Sequence, residues 1–387
     1  MARVQISVDP EIVQGLFQRD DGLARLVESV LNQILEAQVT ERLGAEPYER
    51  TAERQRYRNG SRERTMKTRV GALSLEVPEV REGVFSTELF ARYQRNEQAL
   101  VLAMMEMVVN GVSTRKVKRI TEELCGTSFS RSTVSELCRG LDQVVEAWNG
   151  RDLGEQAHPF VIVDALVLRI REDGHVSQRS AFVAVGVGEK GQREILGLML
   201  GDSESQDSWS SFFAWLKERG LKGVDLVVSD DHAGLVAAVR KHFQGVLWQR
   251  CQTHLSRNVL DVCPKALQAE LHSRLRPIFE APDAEVARVR LEAGFDDAVA
   301  VLALPQPYRR LLRTTNGLER LNEEIRRRER VIRIFPNEVS ALRLLGALLM
   351  EQDDIWTTGR KYFDMTCYWE WRAATETTQP AERGNAA

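Results

Sequence analysis

The run FVIVDALVLRI (residues 160–170) decides the fold class. It is apolar apart from Asp164 and Arg169, too continuously so for a strand with one wet face, and it reads as a buried strand. Two more β-rich runs follow, SAFVAVGVG (180–188) and EILGLML (194–200), set off by the turn pairs Asp173-Gly174 and Lys190-Gly191. The period then changes. SWSSFFAWLKERGL (208–221) is an amphipathic helix, VDLVVSD (224–230) a short buried strand, HAGLVAAVRKHF (232–243) a helix and GVLWQRC (245–251) a fifth strand. A three-strand meander followed by alternating helix and strand predicts a mixed α/β sheet.

The flanks are helical. Residues 1–45 read as helix with Gly44 as its stop, and the basic stretch ERTAERQRYRNGSRERTMKTR (49–69) follows, with eight Arg or Lys against three Glu. ALSLEVPEV (72–80) alternates like a strand or extended arm. From 96 to 150 the pattern is a helix, a turn at Gly126 and a second helix capped by Ser130, the spacing of a helix-turn-helix with Arg131, Ser132 and Thr133 where a recognition helix meets bases. Many helical hairpins share this pattern and bind nothing. NGRDLGEQAHP (149–159) looks like a linker, residues 251–312 are largely helical, and residues 373–387 read as a disordered tail.

The totals are ordinary for a globular chain of 387 residues: 53 Lys and Arg against 56 Asp and Glu, and five scattered cysteines that fit a reducing compartment better than a disulfide framework. No apolar run reaches the roughly 18 residues of a membrane helix, since ALVLAMMEMVV (99–109) is broken by Glu106, and no signal peptide is evident.

Carboxylates point to chemistry. Asp164 inside an apolar strand is costly unless something pairs with it, and Asp230 ends a strand where ligands gather in open α/β sheets. Bland readings exist: an edge-strand Asp164 and a helix-capping Asp230. If the two strands are neighbours, a divalent cation resolves the repulsion. Asp231, next along, follows the strand rather than ending it and is the weaker candidate. A third carboxylate comes from RTTNGLERLNEEIRRRERVIRIFPN (313–337), which holds four Glu and seven Arg. Leu318, Leu321, Ile325 and Ile332 form its apolar stripe, and Asn316 with Glu319 fits a capping box. Periodicity does not separate Glu319 from Glu323 as a ligand.

Asp164, SDDHAGL (229–235), CQTHLSRN (251–258) and TTNGLERLNEEIRRRERVIRIFPN (314–337) together resemble the bacterial Mutator-type insertion-sequence transposases, as do RYRNGSRERT early and ALLMEQDDIW late in the chain. The resemblance implies a ribonuclease H-like core (155–250 and 313–372) with a mostly helical insertion (251–312). It is preceded by helical DNA-binding regions at 1–95 and 96–150. It implies a catalytic triad of Asp164, Asp230 and Glu319 holding two Mg²⁺ or Mn²⁺ ions, which selects Glu319 over Glu323. It further implies terminal inverted repeats and target DNA as partners, at least a dimer when two ends are joined, and action at the bacterial nucleoid in the cytoplasm. Cys251 and His254 form its C-x₂-H signature, and four zinc ligands in tight pairs are lacking.

The expected DNA contacts are Arg54, Arg56, Arg58, Arg62 and Arg64 in the basic stretch, and Arg115, Lys116, Arg131, Ser132 and Thr133 in the helix-turn-helix. Trp248, Arg257, Arg320, Arg326, Arg327, Arg328, Arg330 and Arg333 are expected beside the carboxylates, although a Trp at such a position is more often core. A metal nuclease or resolvase without strand transfer and a DNA-binding repressor are the competing readings. The intact carboxylate set argues against the repressor, and the dedicated DNA-binding region against the nuclease.

Overall fold

The computed structural model describes residues 5–52, 54–81, 85–87, 89–91, 94–261, 263–280 and 296–378. The chain divides into two compact units, Met1–Arg139 and Gly140–Ala387.

In the first unit, helices α1 (Pro10–Gly15) and α2 (Gly22–Leu43) replace the single helix expected over 1–45. The break falls at Asp20-Asp21-Gly22, where a Cβ on Gly22 would lie 2.4 Å from the Gly15 carbonyl oxygen. Gly44 ends α2 with φ 67°, as expected. The second half of the basic stretch is a strand: Arg58–Thr68 forms β1, paired antiparallel with β2 (Gly71–Val80). Met66 is the one apolar residue in β1, so its own pattern gave no strand signal; the partner strand imposes the conformation. Leu73, Leu75 and Met66 close against Leu35 of α2.

Helices α3 (Gln98–Val109), α4 (Thr114–Cys125) and α5 (Arg131–Cys138) complete this unit. Ser113 and Ser130 cap α4 and α5, and Gly126 stands between them at φ 60°, so the helix-turn-helix pattern folds as read. Val117, Phe129 and Val134 form its small core with Leu100 and Met104. The expected boundary at 150 moves to 139/140, because α6 (Asp142–Asn149) is held by the second unit. Trp148 Nε1 donates to Asp353 at 3.0 Å, and Arg343 pairs with Asp142.

The second unit is a five-stranded sheet of order β5-β4-β3-β6-β7: β3 (Phe160–Glu172), β4 (His175–Val187), β5 (Arg193–Gly201), β6 (Leu226–Ser229) and β7 (Leu247–Arg250). The meander β3-β4-β5 is antiparallel, and β3, β6 and β7 run parallel. Helices α7 (Gln206–Glu218) and α8 (Ala233–His242) cover one face. The chain then passes through α9 (Gln252–Asp261), α10 (Gln268–Phe279), α11 (Asp296–Val299) and α12 (Gln306–Leu312). The other face is covered by α12 with α13 (Asn316–Ile332), α14 (Glu338–Thr358) and α15 (Thr366–Thr378).

Strand period assigns the faces. Even-numbered residues of β3 (Phe160, Ile162, Leu166, Leu168, Ile170) pack with α12–α15, while Val161 and Val163 pack with α7 and α8. Helix α15 overrides the expected disorder from 373 as far as Thr378, anchored by Tyr368, which is fully buried; residues 379–387 lie outside the described set.

Gly346 lets α14 approach α6 closely: a Cβ there would sit 2.2 Å from Val145 Cγ1. Gly346→Ala is expected to destabilise the second unit by about 1–3 kcal/mol through overpacking, outweighing the helix-propensity gain. Thermal unfolding checks this; an unchanged or higher midpoint would show that the contact relaxes freely.

Candidate active site

Asp164 and Asp230 reach one site through strand register. Ile162 pairs with Val228 across β3 and β6, so Asp164 and Asp230 each lie two residues further along neighbouring parallel strands. Both keep the parity of Ile162 and Val228, and both therefore stand on the face covered by α13. A one-residue slip would send either carboxylate to the α7/α8 face. Asp231 is turned away into an ion pair with Arg250 at 2.8 Å.

Helix α13 is tied down at both ends. At its start, Thr315 is the N-cap, not Asn316 as the capping-box reading had it, and its hydroxyl does not cap the helix. Instead Thr315 N and Oγ1 both donate to Cys251 Sγ at 3.4 Å, while Asn316 accepts from Thr253 Oγ1 at 3.0 Å. At its end, Phe335 exchanges backbone hydrogen bonds with β3, donating to Arg169 O and accepting from Arg171 N, both at 2.9 Å. Leu318, Leu321 and Ile325 are buried as the stripe predicts, but Ile332 is exposed because the helix ends there, with Arg333 at φ 65°.

This clamping brings the second turn of α13 onto β3. Asn322 Nδ2 donates to Asp164 Oδ2 at 2.8 Å, and Ala165 N donates to Oδ1 at 2.9 Å. Glu319, one turn before Asn322, faces His254 Nε2 at 3.4 Å, and its buried Oε1 accepts no hydrogen bond. Glu323 is exposed. A fourth acid escaped the sequence reading: Glu204, in the loop before α7, interacts electrostatically with Asp164 and Asp230. Gly234 admits that loop, since a Cβ there would lie 2.6 Å from Glu204 O.

The electrostatics register the crowding. Burial pushes the Asp164 carboxyl up to about 7, against the hydrogen bond from Ala165, with Asp230 adding to the rise. Burial also raises Glu204. The hydrogen bond to Cys251 raises the pKa of His254 against its burial, and Glu319 and Asp164 reinforce the rise. Burial would raise the Cys251 thiol, but hydrogen bonds with His254 and Thr315 outweigh it and lower the thiol.

Asp164, Asp230 and Glu204 repel one another, and Glu319 carries a buried oxygen that accepts no hydrogen bond; oxygen donors of this kind fit a hard divalent cation. Cys251, His254 and Glu319 also offer ligand atoms within 4.8 Å of one another. The sulfur there already accepts two hydrogen bonds from Thr315, so its evident work is to hold the start of α13.

The expected DNA contacts sort by pairing. Arg58 is bound to Glu36 and Thr40, and Arg64 to the Gln94 carbonyl over the Phe90 ring. Arg54 donates to Glu46 O at 3.1 Å. Arg56, Arg62, Arg115, Lys116, Arg131 and Ser132 are exposed, and Thr133 is half-buried. Arg62, Arg64 and Thr133 line one cleft of about 1150 Å³. Trp248 is half-buried: it packs against the core beneath α7 and α8 and donates to Ser229 Oγ. Arg257 lines a cleft of about 640 Å³ with Thr253 and Arg313. Arg320, Arg326, Arg330 and Arg333 are exposed, and Arg327 is held by Glu324. Arg328 is only 6% exposed and also pairs with Glu324, so it is no surface cation.

A model of the family "Transposase, Mutator family" matches residues 2–359. The chain belongs to that family. The chain is 43% identical over 388 residues to the transposase for insertion sequence element IS256 in transposon Tn4001 of Staphylococcus aureus, covering 94% of this chain and 99% of that protein. It is 44% identical to the transposase for element ISRM5 of Rhizobium meliloti, over 90% and 92% of the two chains. The transposase for element IS1081 of Mycobacterium tuberculosis is 37% identical over 98% and 96%. Among the described residues no helix is long and apolar enough to cross a membrane.

The folded Asp164 carboxyl keeps its proton up to about pH 7, whereas an unfolded one loses it near 3.8. The folded state therefore binds the extra proton between those values. Its charge costs nothing below about pH 4, destabilises progressively up to about pH 7, and is flat above. In chelator, Asp164→Asn is expected to stabilise the protein by roughly 3–5 kcal/mol at pH 8 and clearly less at pH 5. Melting curves at both pH values decide it; equal gains at both would contradict a burial penalty on ionised Asp164.

Proposed function

We propose that this transposase is a DDE-type enzyme with a ribonuclease H-like core, that it binds the terminal inverted repeats of its element, and that it cuts and joins DNA strands by metal-dependent phosphoryl transfer. The reading is carried by one observation: Asp164 and Asp230 lie in register on neighbouring parallel strands, and Asn322, one turn after Glu319 on α13, bonds the Asp164 carboxylate. Asp164, Asp230 and Glu319 would be the residues that hold two Mg²⁺ or Mn²⁺ ions. Bound there, the ions supply activation of a water or a DNA 3′-hydroxyl and stabilisation of the leaving oxygen.

The protein's own residues prepare that chemistry. Asn322 fixes the Asp164 carboxylate through Oδ2, so its remaining lone pairs are aimed rather than free to rotate. Cys251 and Thr315 set the start of α13 and hence the position of Glu319. Exposed Arg320, Arg326 and Arg330 on the same helix supply positive charge for DNA backbone without reading sequence. In the first unit, Arg131 and Ser132 at the start of α5 suit base contact in a major groove. Joining two ends at once implies at least a dimer.

Asp164→Asn, Asp230→Asn and Glu319→Gln are each expected to lower Mg²⁺-dependent cleavage of terminal-repeat DNA by 1000-fold or more, on the order of 4 kcal/mol of barrier, with end binding largely kept. Cleavage assays beside gel-shift binding test this, and any variant that still cuts at the parental rate removes that residue from the triad. Undiminished cleavage in excess chelator would reject the metal mechanism.

A further inference from the structure

Arg193, near the start of edge strand β5, carried no sequence signal. Its guanidinium lies between two rings, 4.1 Å from the Trp356 centroid and 4.3 Å from that of Tyr362. Trp356 belongs to the end of α14 and Tyr362 to the segment after it, so two parts of the chain fix the fork in one orientation. The groups acting on its charge, besides burial, are Tyr362 and a second cation, Arg320. No acid is among them.

Several other partly buried arginines of this unit are ion-paired instead. Arg151 pairs with Glu194 and Asp353, Arg179 with Glu172, Arg343 with Asp142 and Arg372 with Asp225. A cation drawn half out of water without an anion is a standing cost, and the charge of a second cation, Arg320, adds to it. The first turn of α13 passes close beside Arg193. Gly317, in the first turn of α13, has no side chain, and a Cβ there would already lie 3.6 Å from Arg193 Nη1 and 4.0 Å from Tyr362 Oη. Arg320 follows Glu319 directly.

We propose that Arg193 and Arg320 form a preorganised anchor for one DNA phosphodiester, adjacent to the one that is cut, on the strand that passes the first turn of α13. The inference rests on the transposase reading above and adds a subsite to it. A planar guanidinium matches two phosphate oxygens in one plane, and the ring clamp removes rotamer freedom before the strand arrives. The anchor sets how far the strand advances past the carboxylates. It reads no bases, so it serves every sequence that enters.

The test uses the full chain and duplexes carrying the element's terminal repeat, each with one phosphate near the cleavage position replaced by a neutral methylphosphonate. Affinity and Mg²⁺-dependent cleavage are measured for the parent, Arg193→Ala and Arg193→Lys. One substituted position is expected to weaken the parent about tenfold and to have no further effect in Arg193→Ala. In the same variant the slope of log affinity against log salt should shrink by about one. Arg193→Lys keeps the charge without the fork and should fall between the two; it gives the same comparison if the alanine variant does not fold.

A phosphate profile identical in all three proteins overturns the anchor. So does a lowered melting temperature with that unchanged profile, which would make Arg193 a brace for α14 and nothing more. If the parent neither binds nor cuts the repeat, the transposase reading fails and takes the anchor with it. If the parent cuts normally and only the profiles coincide, the anchor alone fails.

Discussion

A carboxylate on the inward pleat of a central strand is the constraint around which the second unit is arranged. Asp164 sits among Ile162, Leu166 and Leu168 on a face otherwise given to hydrocarbon, and burial holds its pKa near 7. Placing Asp230 and Glu204 within reach makes the repulsion worse, not better. A fold selected for stability alone would put leucine or valine at such a position. The strain is intelligible as a site built for an opposite charge that arrives from outside. The site also acts on His254, whose pKa is raised by the Cys251 hydrogen bond first and by Glu319 and Asp164 after it.

The second demand is that a helix distant in sequence be delivered to that strand in register. Helix α13 follows a long helical excursion from β7, and loop closure over that span leaves its position poorly determined. The chain solves this with contacts at both ends: Cys251 against Thr315, and the Phe335 backbone against Arg169 and Arg171 of β3. Between them, Leu318, Leu321 and Ile325 fill the core, and Asn322 touches Asp164 directly. The C-x₂-H signature is best understood in this light. Cys251 leads directly from β7 into α9, so a single turn holds both the start of α13, through sulfur, and Glu319, through the His254 ring.

What the sequence made legible followed from periodicity and punctuation. The β3-β4-β5 meander, the two capped helices around Gly126 and the short strand ending before Asp230 all carry their apolar pattern locally, and their boundaries came out within a few residues. Strand β1 did not, because its eleven residues hold a single inward apolar side chain and its conformation comes from β2 and α2. The site was legible only in part. Asp164 and Asp230 announce themselves as acids out of place, and Glu319 was separated from Glu323 by family resemblance, not by pattern. Asn322, Glu204 and Thr315 are ordinary polar residues in ordinary surroundings until tertiary structure gives them neighbours. The capping-box reading failed for a related reason: Thr315 spends its hydroxyl on a sulfur 64 residues earlier in the chain.

Arginine shows the same divide between composition and position. The seven arginines of residues 313–337 drew notice as a cluster, yet two of those on α13, Arg327 and Arg328, are occupied by Glu324 on the same helix, and Arg328 is buried. Arg58 and Arg64, in the basic stretch, are likewise committed to their own unit. Charge density along the chain therefore overstates what is left for a phosphate backbone. Pairing state in the folded molecule is the better guide, since an ion-paired guanidinium must lose its carboxylate before it can gain a phosphate, and the exchange yields little. By that criterion Arg193, which lies in no charge cluster and is held between two aromatic rings with Arg320 as its charged neighbour, is better prepared to take an anion beside α13 than the ion-paired Arg327 and Arg328.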